Sequence, residues 1–199
     1  ICHMSRNAAP RLVPVSHGTG VTLNAQLVFD HKPIRQQQKL KTLTKYVHTY
    51  PSGWKKRLEL AKLLYGMGQW EQAIDELSHV IERQPQSIDA CLLLGHLWQL
   101  TGKEKDAVSL YEQTLPWVQN DVTKYHITGL IAQCQGNLQA ALDAFERAAL
   151  KEPDNCAHWL LLGQTQLALE MLSAAQRSFD VILSLNQNEV TALLYSSDA

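Results

Sequence analysis

The chain has 199 residues, a formal net charge of −1, 45% hydrophobic and 19% charged residues. That is enough apolar material for a continuous core, and the longest apolar runs, residues 92–94 and 159–162, fall far short of a membrane span. Arg6, Pro10, Arg11 and Pro14 interrupt the start, so no secretory leader is read there, while Cys2, Cys91, Cys134 and Cys156 lack the close paired spacing of a zinc site or disulfide framework. A soluble helical protein with reduced thiols, cytoplasmic by default, is the expectation.

Residues 1–30 read as an extended linker, the first three being set aside as extraneous. Within it, His17-Gly18-Thr19-Gly20 invites comparison with a phosphate-cradling loop. It lacks both the Gly-Lys-Ser/Thr ending of such loops and the three-glycine dinucleotide spacing, so a flexible connector is the better reading. A helix is predicted over 31–51. Asp30 can cap it, Pro33 presets φ in its first turn, Pro51 ends it, and Leu40, Leu43 and Val47 share one face. It stands as an N-terminal cap.

From residue 54 one period governs the chain. Ala73, Ala107, Ala141 and Ala175 lie 34 residues apart without a slip. Twelve residues before each stand Ala61, Gly95, Gly129 and Gly163, and four after each stand Leu77, Tyr111, Phe145 and Phe179. Val80, Thr114, Ala148 and Ile182 follow three further on. A small residue in each half of the unit, with large apolar residues at helical spacing, describes two antiparallel helices in close backbone contact. Gly68, Gly102, Gly136 and Glu170 mark the loop inside each unit; Pro85, Gln119, Pro153 and Gln187 mark its end. The hairpins are expected at 54–87, 88–121, 122–155 and 156–189, with Pro116 cutting the second helix of the second unit short. Val190, Leu193 and Leu194 are read as opening a fifth first-type helix, or a C-terminal cap, over 190–199. One hairpin cannot bury both of its apolar sides, so the units must stack into an all-α solenoid.

This pattern resembles the tetratricopeptide repeat family. Trp159, Leu162, Gly163, Ala175, Phe179 and Ile182 carry the likeness, as does the segment from Gly136 to Pro153. Departures are Gln166 in place of an aromatic, Glu170 in place of the loop glycine, and Pro116. The resemblance implies a right-handed superhelix whose first helices line a concave groove that recognises a protein partner. The groove positions it implies are Lys55, Leu58, Glu59, Lys62 and Tyr65 in the first repeat and Asp89, Leu92, Leu93, His96 and Gln99 in the second. The third offers Thr123, His126, Ile127, Leu130 and Gln133, the fourth Ala157, Leu160, Leu161, Gln164 and Leu167. This floor is apolar with few charges and suits an amphipathic helix or extended apolar segment.

Relatives that grip the carboxylate tail of heat-shock chaperones carry Lys, Asn and Arg where this chain has Leu58, Lys62, Leu93, Thr123 and Ile127. A single lysine cannot replace several converging donors, so no such tail is expected to bind. Charge is unevenly spread. Residues 1–57 hold ten Lys or Arg against Asp30 alone, whereas residues 58–199 hold eight against eighteen acids. A solvated cap helix explains this; the alternatives are attraction of the basic end to an acidic partner, to an anionic surface or to the acidic end of another copy. Without an aromatic platform or known motif, nucleic acid is not an expected partner, nor is a membrane. His96 and His126 are expected to face the same groove as polar residues rather than metal ligands. No active site, cofactor or metal is assigned. The expected function is a protein-interaction scaffold; the alternative is the recognition arm of a larger enzyme of glycosyltransferase, sulfotransferase or methyltransferase type, cut at Ala199.

Overall fold

The computed structural model describes residues 32–197, and side chains over 35–185. The predicted linker over 1–30, with its Asp30 cap, lies outside the described residues, as do the side chains of Val190, Leu193 and Leu194. Helix α1 spans Lys32–Thr49. Four hairpins follow: α2 (Trp54–Gly66) with α3 (Trp70–Arg83), α4 (Ile88–Leu100) with α5 (Glu104–Thr114), α6 (Asp121–Cys134) with α7 (Leu138–Lys151), and α8 (Cys156–Ala168) with α9 (Leu172–Ser197). The described residues contain no strand. Each helix packs chiefly on its neighbours in sequence, so the helices form an all-α solenoid.

The periodic residues explain the packing. Ala73, Ala107, Ala141 and Ala175 are fully buried at the crossing within each hairpin. Across from them the glycines admit an aromatic ring. A Cβ built on Gly95 would stand 2.3 Å from Tyr111, on Gly129 2.5 Å from Phe145, and on Gly163 2.6 Å from Phe179. The first repeat solves the same problem differently, with Ala61 and Leu77 both 0% exposed. A larger residue on one helix goes with a smaller one on the other.

The inner turns share one hydrogen-bond pattern. The amides of Gln69, Lys103, Asn137 and Met171 donate to the carbonyls of Leu64, Trp98, Ala132 and Gln166, so each first helix closes on a residue of positive φ. Gly68, Gly102 and Gly136 supply that φ in three turns. Glu170 adopts φ 59° in the fourth, alone among described non-glycine residues. Asn120, Asn137 and Asn155 cap α6, α7 and α8 by accepting backbone N–H groups.

Two local departures follow from the sequence. In the second repeat α5 ends at Thr114 and the chain turns through a 3₁₀ segment, Leu115–Trp117, because Pro116 lacks the N–H to continue an α-helix. At the other end, no separate helix starts at Val190: α9 runs unbroken from Leu172 to Ser197. The physical reason is the breaker. Pro85 and Pro153 end the first and third repeats, whereas Gln187 at the equivalent place has a backbone N–H and continues the helix.

Helix α1 covers the open end of the stack. Leu43 and Val47 are buried with Leu60 and Leu64, with Leu40 packed beside them. Arg35, Lys41 and Lys45 are exposed, and Lys39 pairs with Glu59 at 2.9 Å.

Candidate partner-binding groove

Successive first helices α2, α4, α6 and α8 bring residues 34 apart in sequence onto neighbouring ridges. At the first junction Lys62 pairs with Asp89 at 2.7 Å, both well exposed, and the Tyr65 and His96 rings meet edge to face at 5.9 Å. Lys55 leans over the Trp54 ring with Nζ 5.6 Å from its centroid. Lys56 and Lys39 beside Glu59 hold its carboxyl below the usual range.

A concavity lies further along, between α4, α6 and α8. His96, Gln99 and Leu100 form one wall, Leu130, Gln133 and Cys134 the next, Leu161 and Gln164 the third, and Glu104 of α5 closes the rim around a cavity of about 290 Å³. Leu130 is 4% exposed and forms the floor, whereas Leu100 is 45% exposed at the edge. Gln99 is fixed: its Nε2 donates to Cys134 Sγ at 2.8 Å and its Oε1 accepts from the buried Tyr111 hydroxyl at 3.3 Å. Burial raises the Tyr111 phenol well above its ordinary value, so it remains a donor. Burial likewise pushes His96 down, outweighing the opposing influence of Gln99, so its imidazole is neutral at pH 7.

Of the residues singled out from sequence, His96, Gln99, Leu130, Gln133, Leu161 and Gln164 therefore meet in one cavity. Leu58 and Leu93 are half-buried against the core under α1–α4, and Leu92 against that under α5–α8. Leu160 is 45% exposed and does not line the cavity. Ile127 is not a groove residue. It is 0% exposed and packs with Leu130, Phe145 and Leu162, because at its position on α6 the side chain turns into the hairpin interface.

His126 also behaves differently from its reading. Its partner is His158, which sequence reasoning did not single out. The two Nδ1 atoms are 3.3 Å apart, and His158 Nε2 lies 3.1 Å from Glu152 Oε2. The two rings and the carboxylate so form a polar chain from α6 through α8 to Glu152, just past the end of α7. Burial, reinforced by His158, lowers His126 to about 4, while Asn155 and then His158 lower Glu152. The 32-residue spacing, two short of a repeat, is the signal that could have found the pair. No group of three or more His, Cys, Asp or Glu suited to a metal occurs among the described residues.

Stacked helix hairpins presenting a concave face of this composition define a helical-repeat protein-interaction scaffold. Two models described as tetratricopeptide repeat match residues 64–134 and 129–189, and the chain belongs to the tetratricopeptide repeat family. Among curated proteins it is 27% identical over 121 residues to mouse protein O-mannosyl-transferase TMTC1 and 25% identical over 123 residues to human tetratricopeptide repeat protein 33. Each alignment takes in 59% of this chain but only 13% of the former protein and 45% of the latter. Among solved structures, a thermophilic repeat protein of Thermus thermophilus superposes with TM-score 0.64 at 16% identity, covering 84% of this chain and 95% of that one. A repeat protein from Parabacteroides merdae superposes with TM-score 0.66 at 13% identity, covering 78% and 60%. At these identities the likeness is one of fold. No helix among the described residues is long and apolar enough to cross a membrane.

Proposed function

We propose that the concave face captures an apolar peptide or helix of a protein partner, with the cavity between α4, α6 and α8 as the principal anchor site. The observation that carries this is the cavity itself: leucines on floor and wall, ringed by amides that can meet a peptide backbone. Each Leu-sized anchor buried along the concave face contributes about 1.5–3 kcal/mol before the costs of association. The face is poorly suited to a carboxylate tail. Lys62, the one cation at the clamp positions named above, is paired with Asp89, and Ile127 is buried.

A positional-scanning array of 12-residue peptides, probed with the labelled chain and with Gln164→Trp, tests the reading. Gln164 is exposed, so the indole fills the cavity mouth without entering the core. Binding to Leu-rich pools that falls at least tenfold in the variant, at an unchanged melting temperature, is the expected result. Equal binding by both proteins overturns it.

A further inference from the structure

We propose that the anchor cavity takes a cationic side chain, lysine or arginine, flanked by apolar residues of the bound segment. The inference rests on the groove reading above and names the chemistry of its principal anchor.

Charge and shape at the cavity point the same way. Among the described residues, Glu104 is the only formally charged side chain lining it. His96, the one titratable base in its wall, is held neutral by burial. The lysines that flank Glu104 in sequence, Lys103 and Lys105, are exposed and do not line the cavity. With the carboxylate, the lining combines Leu100, Leu130 and Leu161 with the amides of Gln99, Gln133 and Gln164. A purely apolar side chain would match the leucines but leave the Glu104 carboxylate without a counter-charge. An acidic side chain would meet Glu104 with like charge. A long cationic side chain fits all three zones, its methylenes along the leucines and its head against Glu104 and the amide oxygens. The wider surroundings reinforce the preference, because residues 58–199 carry eighteen acidic against eight basic side chains.

The array described above, used with the full chain, supplies the test. Pools with Lys or Arg fixed beside Leu should bind best. A synthetic fluorescent peptide made from the best pool should lose about tenfold in affinity when its cation becomes norleucine, which keeps the stem and removes the charge. Glu104→Gln, at an exposed helix start, should lose a similar factor with the cationic peptide and almost nothing with the norleucine peptide. Binding to the wild-type chain should weaken with added salt more than binding to Glu104→Gln. Should Leu-rich peptides bind and be blocked by Gln164→Trp while Glu104→Gln and norleucine change nothing, the groove reading stands and the cationic anchor is refuted. Should no pool bind, both are refuted.

Discussion

The crossing of helices inside each hairpin predicts the outcome of a single added methyl group. In Gly129→Ala the new Cβ would lie 2.5, 2.7 and 2.9 Å from three Phe145 ring carbons, where carbon atoms rest at about 3.5–4.0 Å. Phe145 is 0% exposed and cannot swing into solvent, so helix α6 must move off α7 or the ring must leave its rotamer. Overpacking of this kind costs about 1–3 kcal/mol, and the higher helix propensity of alanine returns up to about 1. A net loss of about 1–2 kcal/mol is expected, a fall of roughly 3–6 °C in melting temperature for a chain of this size. The chain contains its own remedy, since the first repeat pairs Ala61 with Leu77. Phe145→Leu alone leaves a cavity, but the double variant recreates the first repeat's pair and should cost about 1–2 kcal/mol less than the two single losses added together. Thermal and urea unfolding followed by circular dichroism measures all four proteins. Gly66→Ala, with nothing within 4 Å of its added Cβ, is the control expected to show no loss. Strict additivity of the pair, or an unchanged Gly129→Ala, would refute the crossing as the reason for the glycines.

Other predictions concern particular residues. His126 is held neutral to about pH 4, whereas the free side chain takes up a proton near 6.5. Between those values the unfolded chain binds more protons, so this stabilisation is complete above about pH 6.5 and is lost as pH falls toward 4. The loss from pH 7.5 to pH 5 should be about 2 kcal/mol by urea unfolding. It should shrink in His126→Gln; an undiminished slope in that variant would locate the pH dependence elsewhere. Glu170→Gly relieves a left-handed conformation in the fourth turn and should stabilise by about 0.5–1 kcal/mol after the entropy of glycine is counted; a lower melting temperature would contradict this. Leu93→Glu places a carboxylate against the core under α1–α4 and should cost more than about 2 kcal/mol, so it is a stability variant rather than a clean groove variant. An unfolding curve matching that of the wild type would show the opposite.

The parts of this fold that were legible in the sequence are those set by small residues. A glycine facing a ring, an alanine buried at a helix crossing and a glycine at positive φ leave few alternatives, so the 34-residue alanine series carries the hairpins and their order. The point where the chain could break after the fourth repeat was harder to read, because Gln187 permits a turn and a helix alike, and here the helix continues. The groove was legible as a set of columns but not residue by residue. Ile127 and Leu161 hold equivalent positions, yet Ile127 is buried while Leu161 lines the cavity. That difference arises from local packing between hairpins, which a repeat register cannot encode. The pairing of His126 with His158 and Glu152 crosses two repeats at a spacing just off the period, and a search by period alone passes over it.

Recognition on the concave face at α4, α6 and α8 would leave a local spectroscopic footprint. Amide and side-chain NMR shift mapping tests it most directly, using the best-binding synthetic peptide titrated into the isotope-labelled chain. The largest perturbations should fall at His96, Gln99, Leu130, Leu161 and Gln164 and disappear in Gln164→Trp. Perturbations confined to α1, or to the outer helices α3, α7 and α9, would rule it out.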